Sequence, residues 1–317
     1  MAVAAVAACA RHDASSHALR VALITPGSIA DAAWNAGAYQ GLLQIRDSLG
    51  AAISNIEATT PSQQEEALRS YAAQGYTIVF GHGYEFQAPA ERVAHDYPNT
   101  IFVITSGERV SGRVVPLIFR IHEATYLAGM VAGAMTKTGR IGFIGGMELP
   151  PIKLGYDGWL QGARAVRPDV ESRITYLNTF DDAGAGKEAA LAMIHLGVDQ
   201  IHHNADAAAL GVFAAAKDSP GVFVYGANGD QTSLAPERVI ASAVVDLPRA
   251  LMLVGREVRS GHFTPHAESF GLKSGVIRLA VNPALAGSWP AGLKDRVAAA
   301  SDSIMAGTLH VAGQTVP

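Results

Sequence analysis

The chain alternates between short apolar runs and longer amphipathic stretches, and it does so in two consecutive series. The strand-like runs of the first series are Arg20–Thr25, Ile53–Thr59, Thr77–Gly81, Thr100–Thr105 and Val114–Ile121. Those of the second are Arg140–Gly145, Glu171–Leu177, Gln200–Asn204, Val222–Gly226 and Val239–Val244. Strands that alternate with helical stretches of ~10–15 residues indicate βαβ units, which build parallel sheets. The sequence therefore predicts an α/β protein with two doubly wound lobes.

Apolar residues at three- and four-residue spacing predict the helices between these strands. The predicted helices cover Ala32–Leu49, Pro61–Gln74, Glu85–Asp96, Glu123–Thr136, Lys153–Val166, Gly184–Leu196, Ala207–Lys217 and Leu247–Ser260. We expect residues 19–120 and 246–267 to form the first lobe, and residues 121–245 and 268–317 to form the second. Residues 1–18 are expected to act as a leader or tether.

Polar, small and aromatic residues follow most of the predicted strands. Ligands of doubly wound sheets bind beyond the carboxyl ends of the strands, so these positions form one rim on each lobe. The candidate binding residues on the two rims are Asp31, His82, Tyr84, Ser106, Met147, Asn204, Asn228 and Asp230. Two rims that meet at a cleft between lobes predict a site for a small molecule.

Composition excludes several classes of function. The net charge of -4 leaves no basic excess to neutralise phosphates, so we expect no nucleic-acid partner. A single cysteine excludes an intramolecular disulfide framework and a cysteine-cluster zinc site. No apolar run reaches the ~20 residues of a membrane-spanning helix. We find no G-x-S-x-G or H-E-x-x-H motif and no nucleophile paired with a base, so we expect no enzyme, cofactor or metal site.

Two pairs of adjacent residues have a structural interpretation. Neighbouring residues on a strand point to opposite faces, so His202 and His203 are predicted to lie one packed and one exposed, without chelating a metal ion. Asp181 and Asp182 precede a predicted helix, where carboxylates cap free N–H groups and complement the helix dipole.

The segment Asp31-Ala32-Ala33-Trp34-Asn35, followed by Ala38-Tyr39-Gln40-Gly41-Leu42, is similar to the D-x-S-F-N-x-x-x-Y-x-G signature of the basic membrane protein family. The similarity continues through Phe119–Glu123, Gly142–Met147 and Phe180–Asp182, and spans about Leu19 to Phe263. This family consists of periplasmic or surface lipoproteins of ABC importers and includes PnrA-like purine-nucleoside receptors. The resemblance implies a type I periplasmic-binding-protein fold with two lobes and a hinge.

The resemblance also implies which residues face the cleft. Asp31, Trp34 and Asn35 would line it from the first lobe, and Met147 and Phe180 from the second. An aromatic ring stacks on a flat heterocycle, while a carboxylate or an amide hydrogen-bonds its edge or a ribose. Ordinary core packing is the alternative for the two aromatic residues and the methionine.

Three positions depart from the family pattern. Ser106 follows a strand that ends in an aspartate in nucleoside-binding relatives, Asn228 replaces an acid, and Val245 stands at the place of a lysine. Each lost contact to a ribose or a base is worth ~1.5–3 kcal/mol. A free nucleobase or another polar heterocycle is therefore an alternative to a purine nucleoside.

The segment Val6-Ala7-Ala8-Cys9 resembles a bacterial lipobox, in which small residues precede a lipidated cysteine. An acylated Cys9 would anchor the protein in the periplasm or at the cell surface. The alternative is an alanine-rich leader with an incidental cysteine.

These observations predict a monomeric, extracytoplasmic solute-binding component of an ABC importer. Closure of the hinge on a purine nucleoside or a nucleobase-like solute would produce the form that the ABC permease recognises. The alternatives are a ligand-sensing regulator domain and a binding protein for a non-purine solute. A nucleoside hydrolase would need an aspartate cluster at the end of the first strand, where only Asp31 is present.

Overall fold

The protein, described by a computed structural model over residues 19–31 and 33–311, contains two six-stranded sheets. The strands of the first sheet are β1 (Arg20–Thr25), β2 (Ala52–Glu57), β3 (Ile78–His82), β4 (Ile101–Thr105), β5 (Val114–Phe119) and β11 (Glu268–Phe270). Those of the second are β6 (Arg140–Gly145), β7 (Glu171–Tyr176), β8 (Gln200–Asn204), β9 (Phe223–Asn228), β10 (Val239–Val245) and β12 (Ile277–Val281).

Nine helices in the described residues accompany these sheets. The first lobe contains α1 (Trp34–Leu49), α2 (Pro61–Ala73), α3 (Gln87–Ala94) and α8 (Leu247–Ser260). The second contains α4 (Ile121–Met135), α5 (Pro150–Val166), α6 (Ala183–His195), α7 (Ala209–Asp218) and α9 (Leu293–Met305).

The two sheets have the same strand order. It is β2-β1-β3-β4-β5-β11 in the first sheet and β7-β6-β8-β9-β10-β12 in the second, and all neighbours are parallel except β10 and β12. The strand order reverses between β1 and β3, and again between β6 and β8, which are the points where doubly wound sheets bind ligands. The predicted α/β class with two doubly wound lobes is confirmed.

Burial explains why the central strands were recognisable in the sequence. Strands β3, β4 and β10 are buried at every residue because helices cover both faces of a parallel sheet. The same burial corrects the prediction for β8, in which His202 and His203 are both 1% exposed. His202 packs on Trp159 and His203 on Phe213, so neither face of β8 is open to solvent.

Helices α4 and α5 pack with their backbones in contact. A Cβ atom at Gly129 would overlap with the carbonyl oxygen of Trp159, and one at Gly162 with that of Tyr126. Glycine is therefore required at both positions, and the close approach helps to bury nearly all of α4. The first residue of this helix, Ile121, lies at the boundary between the lobes.

The chain crosses between the lobes three times, at Arg120, Asp246 and Gly271. The first crossing joins β5 to α4, the second joins β10 to α8, and the third follows β11. The predicted division assigned residues 268–317 to the second lobe, whereas Glu268–Phe270 pairs with β5 in the first sheet. The boundary between the lobes therefore lies after Phe270.

A buried carboxylate links two of the crossings. Glu123 is 4% exposed, and its Oε1 lies 2.9 Å from Nε of Arg120. Its Oε2 accepts a hydrogen bond of 2.7 Å from the backbone N–H of Leu272. The N–H of Arg120 donates to the carbonyl of Phe270 at 2.8 Å, so the first and third crossings are tied side by side.

Candidate functional site

A cleft lies between the lobes, at the carboxyl ends of both sheets. Six of the residues predicted from the sequence line it: Trp34, Tyr84, Ser106, Phe180, Asn204 and Asn228. Phe119, Ile121 and Val245 also line the cleft, and each is next to a crossing between the lobes. A rotation at these crossings therefore changes the shape of the cleft.

Trp34, the first residue of α1, presents a partly exposed indole to the cleft. The His82 ring stacks on the indole with a centroid separation of 4.2 Å, and Phe119 meets it edge-on at 6.2 Å. The indole is thus supported by two other rings of the first lobe.

His82 is completely buried behind Trp34. Its Nε2 lies 3.1 Å from the carbonyl oxygen of Trp34, which only accepts, so Nε2 carries the proton. Its Nδ1 then accepts from the hydroxyl of Thr105 at 2.9 Å. Burial lowers the pKa of His82 to about 3, which keeps the ring neutral at physiological pH. His82 therefore positions Trp34 and does not line the cleft.

Phe180 lines the cleft from the second lobe, in the segment between β7 and α6. Its ring lies against the backbone of Gly146, where a Cβ atom would overlap with ring carbons. Its carbonyl accepts a hydrogen bond of 2.8 Å from Ala208. The absence of a side chain at Gly146, directly after β6, is thus what allows the ring to occupy this position.

Three polar side chains of the second lobe form one hydrogen-bonded group. Nδ2 of Asn228 donates to Oδ1 of Asn204 and to Oδ1 of Asp206, at 3.3 Å in each case. All three residues line the cleft. Together they present amide and carboxylate groups that recognise a polar ligand edge.

The left-handed backbone conformations of non-glycine residues cluster at this edge of the sheets. In the described part of the chain they occur at Ser106, Asn178, Asp206 and Asn228, with φ between 45° and 66°. Each follows or ends a parallel strand, and all but Asn178 line the cleft. Such conformations are costly and concentrate at functional sites.

Two acidic residues of the cleft were not among the predicted binding residues. Glu85 lies in a short turn after β3, and Asp206 lies in a similar turn after β8. Burial raises the pKa of Glu85 and, more strongly, that of Asp206. The charges of Asp31 and Glu85 raise the pKa of Asp206 further. The sequence signal for both was their position just after a strand.

Four other predicted residues lie outside the cleft lining. Asp31 accepts hydrogen bonds from the N–H groups of residues 33, 35 and 36 and so fixes the start of α1. Asn35 is 4% exposed, and its Nδ2 lies 3.3 Å from the position of a Cβ atom at Gly27. Met147 is half-buried beyond β6. Asp230 is exposed and accepts hydrogen bonds from Thr232.

Two further features of the described residues concern metals and membranes. Within residues 19–31 and 33–311, no group of three His, Cys, Asp or Glu side chains is placed to hold a metal ion. In the same part of the chain, no helix combines the length and apolar character needed to span a bilayer. Cys9, the predicted lipidation site, lies outside the described residues.

Comparison with known proteins identifies the family. The model of the Bmp family, described as "ABC transporter substrate-binding protein PnrA-like", matches residues 18–289. The chain belongs to this family. The resemblance read from the Asp31–Leu42 signature is thereby confirmed, and so is its implication that the protein is a substrate-binding protein and not an enzyme.

Named relatives cover most of the chain. Basic membrane protein A1 of Borrelia garinii subsp. bavariensis is 30% identical over 83% of this chain and 80% of its own length. The ABC transporter nucleoside-binding protein BmpA of Lactococcus lactis subsp. cremoris is 28% identical over 98% of this chain and 95% of its own length. Proteins of the Bmp family act outside the cytoplasm together with an ABC permease.

A solved structure shows the same fold. The solute-binding protein of an ABC transporter system from Aeropyrum pernix superimposes with a TM-score of 0.82 and covers 93% of this chain and 94% of its own. It is 23% identical in sequence, so the similarity establishes the periplasmic-binding-protein architecture alone.

Proposed function

We propose that this Bmp-family protein binds a purine nucleoside or a nucleobase-like solute in the cleft and presents it to an ABC permease. The observation that carries the proposal is the presence of Trp34 and Phe180 in one cleft, each contributed by a different lobe. Aromatic rings offer stacking surfaces to a flat heterocycle. The relative from Lactococcus lactis is named as a nucleoside-binding protein, which supports the same class of solute.

The polar contacts of the proposed solute come from both lobes. Tyr84, Glu85 and Ser106 are the contacts from the first lobe, and Asn204, Asp206 and Asn228 those from the second. A solute that bonds to both groups favours the closed form, because only that form makes all the contacts. Asp31 and His82 act indirectly, because Asp31 fixes the start of the helix and His82 fixes the ring that offers the stacking surface.

Thermal-shift measurements with added solutes test this function. Adenosine, inosine, hypoxanthine, D-glucose and an amino acid are each added to the purified protein at millimolar concentration. A micromolar ligand at that concentration stabilises the folded state by ~4 kcal/mol, so it raises the Tm measurably. Stabilisation by a purine compound supports the proposal. Stabilisation by glucose or the amino acid alone assigns the cleft to a non-purine solute.

Hinge closure has a separate test. Small-angle X-ray scattering with and without the stabilising compound is expected to show a smaller radius of gyration in the bound state. An unchanged radius with saturated ligand contradicts closure but leaves solute binding intact.

We further propose that Cys9 carries a lipid anchor and that the protein is a monomer. Mass spectrometry of the N-terminal peptide after expression in a bacterial host tests the anchor. The expected result is a diacyl or triacyl modification on Cys9, which the variant Cys9→Ala lacks. Light scattering of the unacylated protein at micromolar concentration tests the oligomeric state.

A further inference from the structure

The charged side chains that line the cleft are all acidic. Its lining includes two carboxylates, Glu85 of the first lobe and Asp206 of the second, and no Lys, Arg or His side chain. In the described residues, the salt bridges of the protein lie elsewhere and involve neither of the two. Both carboxylates therefore lack a cationic partner in a partly desolvated cleft, an arrangement that carries a large electrostatic cost.

The two carboxylates are held in place by their backbone. Gly83 has a φ of 144°, and a Cβ atom there would lie 2.6 Å from Oε2 of Glu85, so only glycine lets this carboxylate fold back over the turn. Asp206 has a φ of 45°, and its carboxylate accepts a hydrogen bond from Asn228. Strained positions are retained where the geometry is used.

The charges of the two lobes also repel each other across the cleft. Burial is the main cause of the raised pKa of Asp206, and the charges of Asp31 and Glu85 in the first lobe and of Asp181 in the second raise it further. Val245, at the hinge side of the cleft, is apolar and offers no compensating charge. Closing the empty cleft therefore costs free energy, either in repulsion between these carboxylates or in protonating one of them, and a cation between them would remove that cost.

The two aromatic side chains of the cleft also favour a cationic ligand. Trp34 is the side chain with the strongest attraction for a cation over its ring face, and Phe180 offers a second ring. Such rings also stack on a flat heterocycle. A heterocycle with a delocalised positive charge would therefore stack on Trp34 and Phe180 and pair with the carboxylates at the same time.

We propose that the solute is a nitrogen heterocycle that carries a positive charge, and that this charge lies between Glu85 and Asp206 in the closed form. The inference rests on the proposed function and narrows its solute class from purine-like compounds to cationic ones. A cation that contacts carboxylates of both lobes binds the closed form more tightly than the open one. That difference in affinity shifts the equilibrium from the open to the closed form.

Two isomeric nucleosides test the effect of the ligand's charge at nearly constant size. At pH 7 the base of 1-methyladenosine is protonated and cationic, whereas N6-methyladenosine has the same number of heavy atoms and is neutral. Isothermal titration calorimetry with each compound is expected to show at least about tenfold tighter binding of the cation, the factor that one charge-assisted hydrogen bond supplies.

Two variants that each remove one carboxylate charge test which residues cause the preference for the cation. Glu85→Gln and Asp206→Asn keep the shape of each side chain, and asparagine tolerates the left-handed backbone at 206. Each is expected to lose most of the preference for the cation, while its Tm is at or above that of the parent protein because an unpaired carboxylate is removed from the cleft. The matched control is Asp218→Asn, which removes a charge at the exposed far end of α7, where Asp218 pairs with Lys187.

The outcomes distinguish this inference from the proposed function. Equal affinity for the isomers, or tighter binding of the neutral one, overturns the inference and leaves purine binding intact. A preference that survives in both cleft variants overturns it as well. If neither isomer binds, 1-methylnicotinamide and neutral nicotinamide repeat the comparison on a smaller ring. Binding of that cation alone supports the inference, and failure of all four compounds overturns it. The unmodified adenosine, inosine and hypoxanthine decide the proposed function separately.

Discussion

The imidazole of His82 stacks on the indole of Trp34 at 4.2 Å, and its Nε2 donates to the carbonyl of the same residue. One buried side chain thus fixes both the ring and the backbone at the first residue of α1. The stacking surface on the first lobe is therefore formed before any solute enters, which reduces the entropic cost of binding.

Replacement of His82 by alanine tests this support. The indole loses the ring behind it, and the carbonyl of Trp34 loses its donor, so we expect the affinity for the stabilising purine to fall about tenfold. The other two tryptophans, Trp159 and Trp289, are buried. A shift of the tryptophan emission to longer wavelength should therefore report the release of Trp34. The exposed His195, replaced by alanine, is the control, and unchanged affinity of the His82 variant would contradict the positioning role.

Gly146→Ala is expected to displace Phe180. The added methyl group overlaps with the ring, and Gly146 follows β6 in a segment held by a hydrogen bond to Asn204, so the ring must move. Calorimetry should show weaker binding of the purine. Gly287→Ala is the matched control, because a Cβ atom there meets nothing within 4 Å. Equal affinity of the two variants would show that Phe180 makes no contact with the solute.

Asp31→Ala is expected to affect both stability and binding. The carboxylate accepts from three N–H groups at the start of α1, and loss of such a cap costs about 1 kcal/mol. Urea denaturation measures this cost. Thr60→Ala removes the capping box of α2, which carries no residue of the cleft, so it should lower stability similarly and leave affinity unchanged. A loss of affinity in both variants would point to a general effect of destabilisation.

The buried histidines predict how stability depends on pH. Burial lowers the pKa of His82 and of His203 to about 3, below the value near 6.5 in the unfolded chain. The unfolded state then binds more protons between these values. The stabilisation from the neutral rings is complete above pH 6.5 and declines toward pH 3 by up to ~1.4 kcal/mol per pH unit for each ring.

The raised pKa values of Glu85 and Asp206 act in the opposite sense, because acid relieves their burial. We expect the histidines to dominate below pH 6, so the free energy of unfolding from urea titrations should fall between pH 7 and pH 5. His203→Asn should show a shallower decline than the parent protein. A free energy of unfolding that rises as the pH falls would assign the dominant effect to the carboxyl groups.

Glu123→Ala tests the link between the crossings. It leaves the N–H of Leu272 without its acceptor in a buried segment, at a cost of about 2 kcal/mol. We also expect the scattering radius of the empty protein to change, because, in the described residues, only the hydrogen bond from the Arg120 N–H to the Phe270 carbonyl still joins the first and third crossings. If the radius is unchanged while stability falls, Glu123 contributes to folding alone.

Much of the fold was predictable because its signals are local. The predicted bounds of β1, β6, β8 and α8 match the structure, since each is an uninterrupted pattern bordered by turn or cap residues. Asp246 begins α8 with a side-chain cap, and Gly261 ends it in a left-handed conformation. Strand β11 was missed because three residues give no alternation, and its place in the first sheet depends on contacts far away in the chain.

The site was predictable in its location but not in its individual contacts. Strand ends identified Ser106, Asn204 and Asn228 as part of the cleft. The sequence does not reveal that the His82 ring is buried behind Trp34, or that Gly83 with a φ of 144° accommodates Glu85 at the cleft, because the direction of a side chain at a strand end or in a short turn depends on backbone angles. The ligand roles of all these residues stay predictions until binding is measured.

The three crossings have a consequence for the order in which the chain can fold during synthesis. The first sheet obtains its last strand from Glu268–Phe270, and α1 is covered by α8, which buries Leu247 and Leu251. A nascent chain that has been made as far as Val245 therefore contains strands β1 to β5, but the helical layer that covers them still lacks α8. The amino-terminal lobe must wait for segments made near the end, so the nascent chain stays incompletely folded through most of translation.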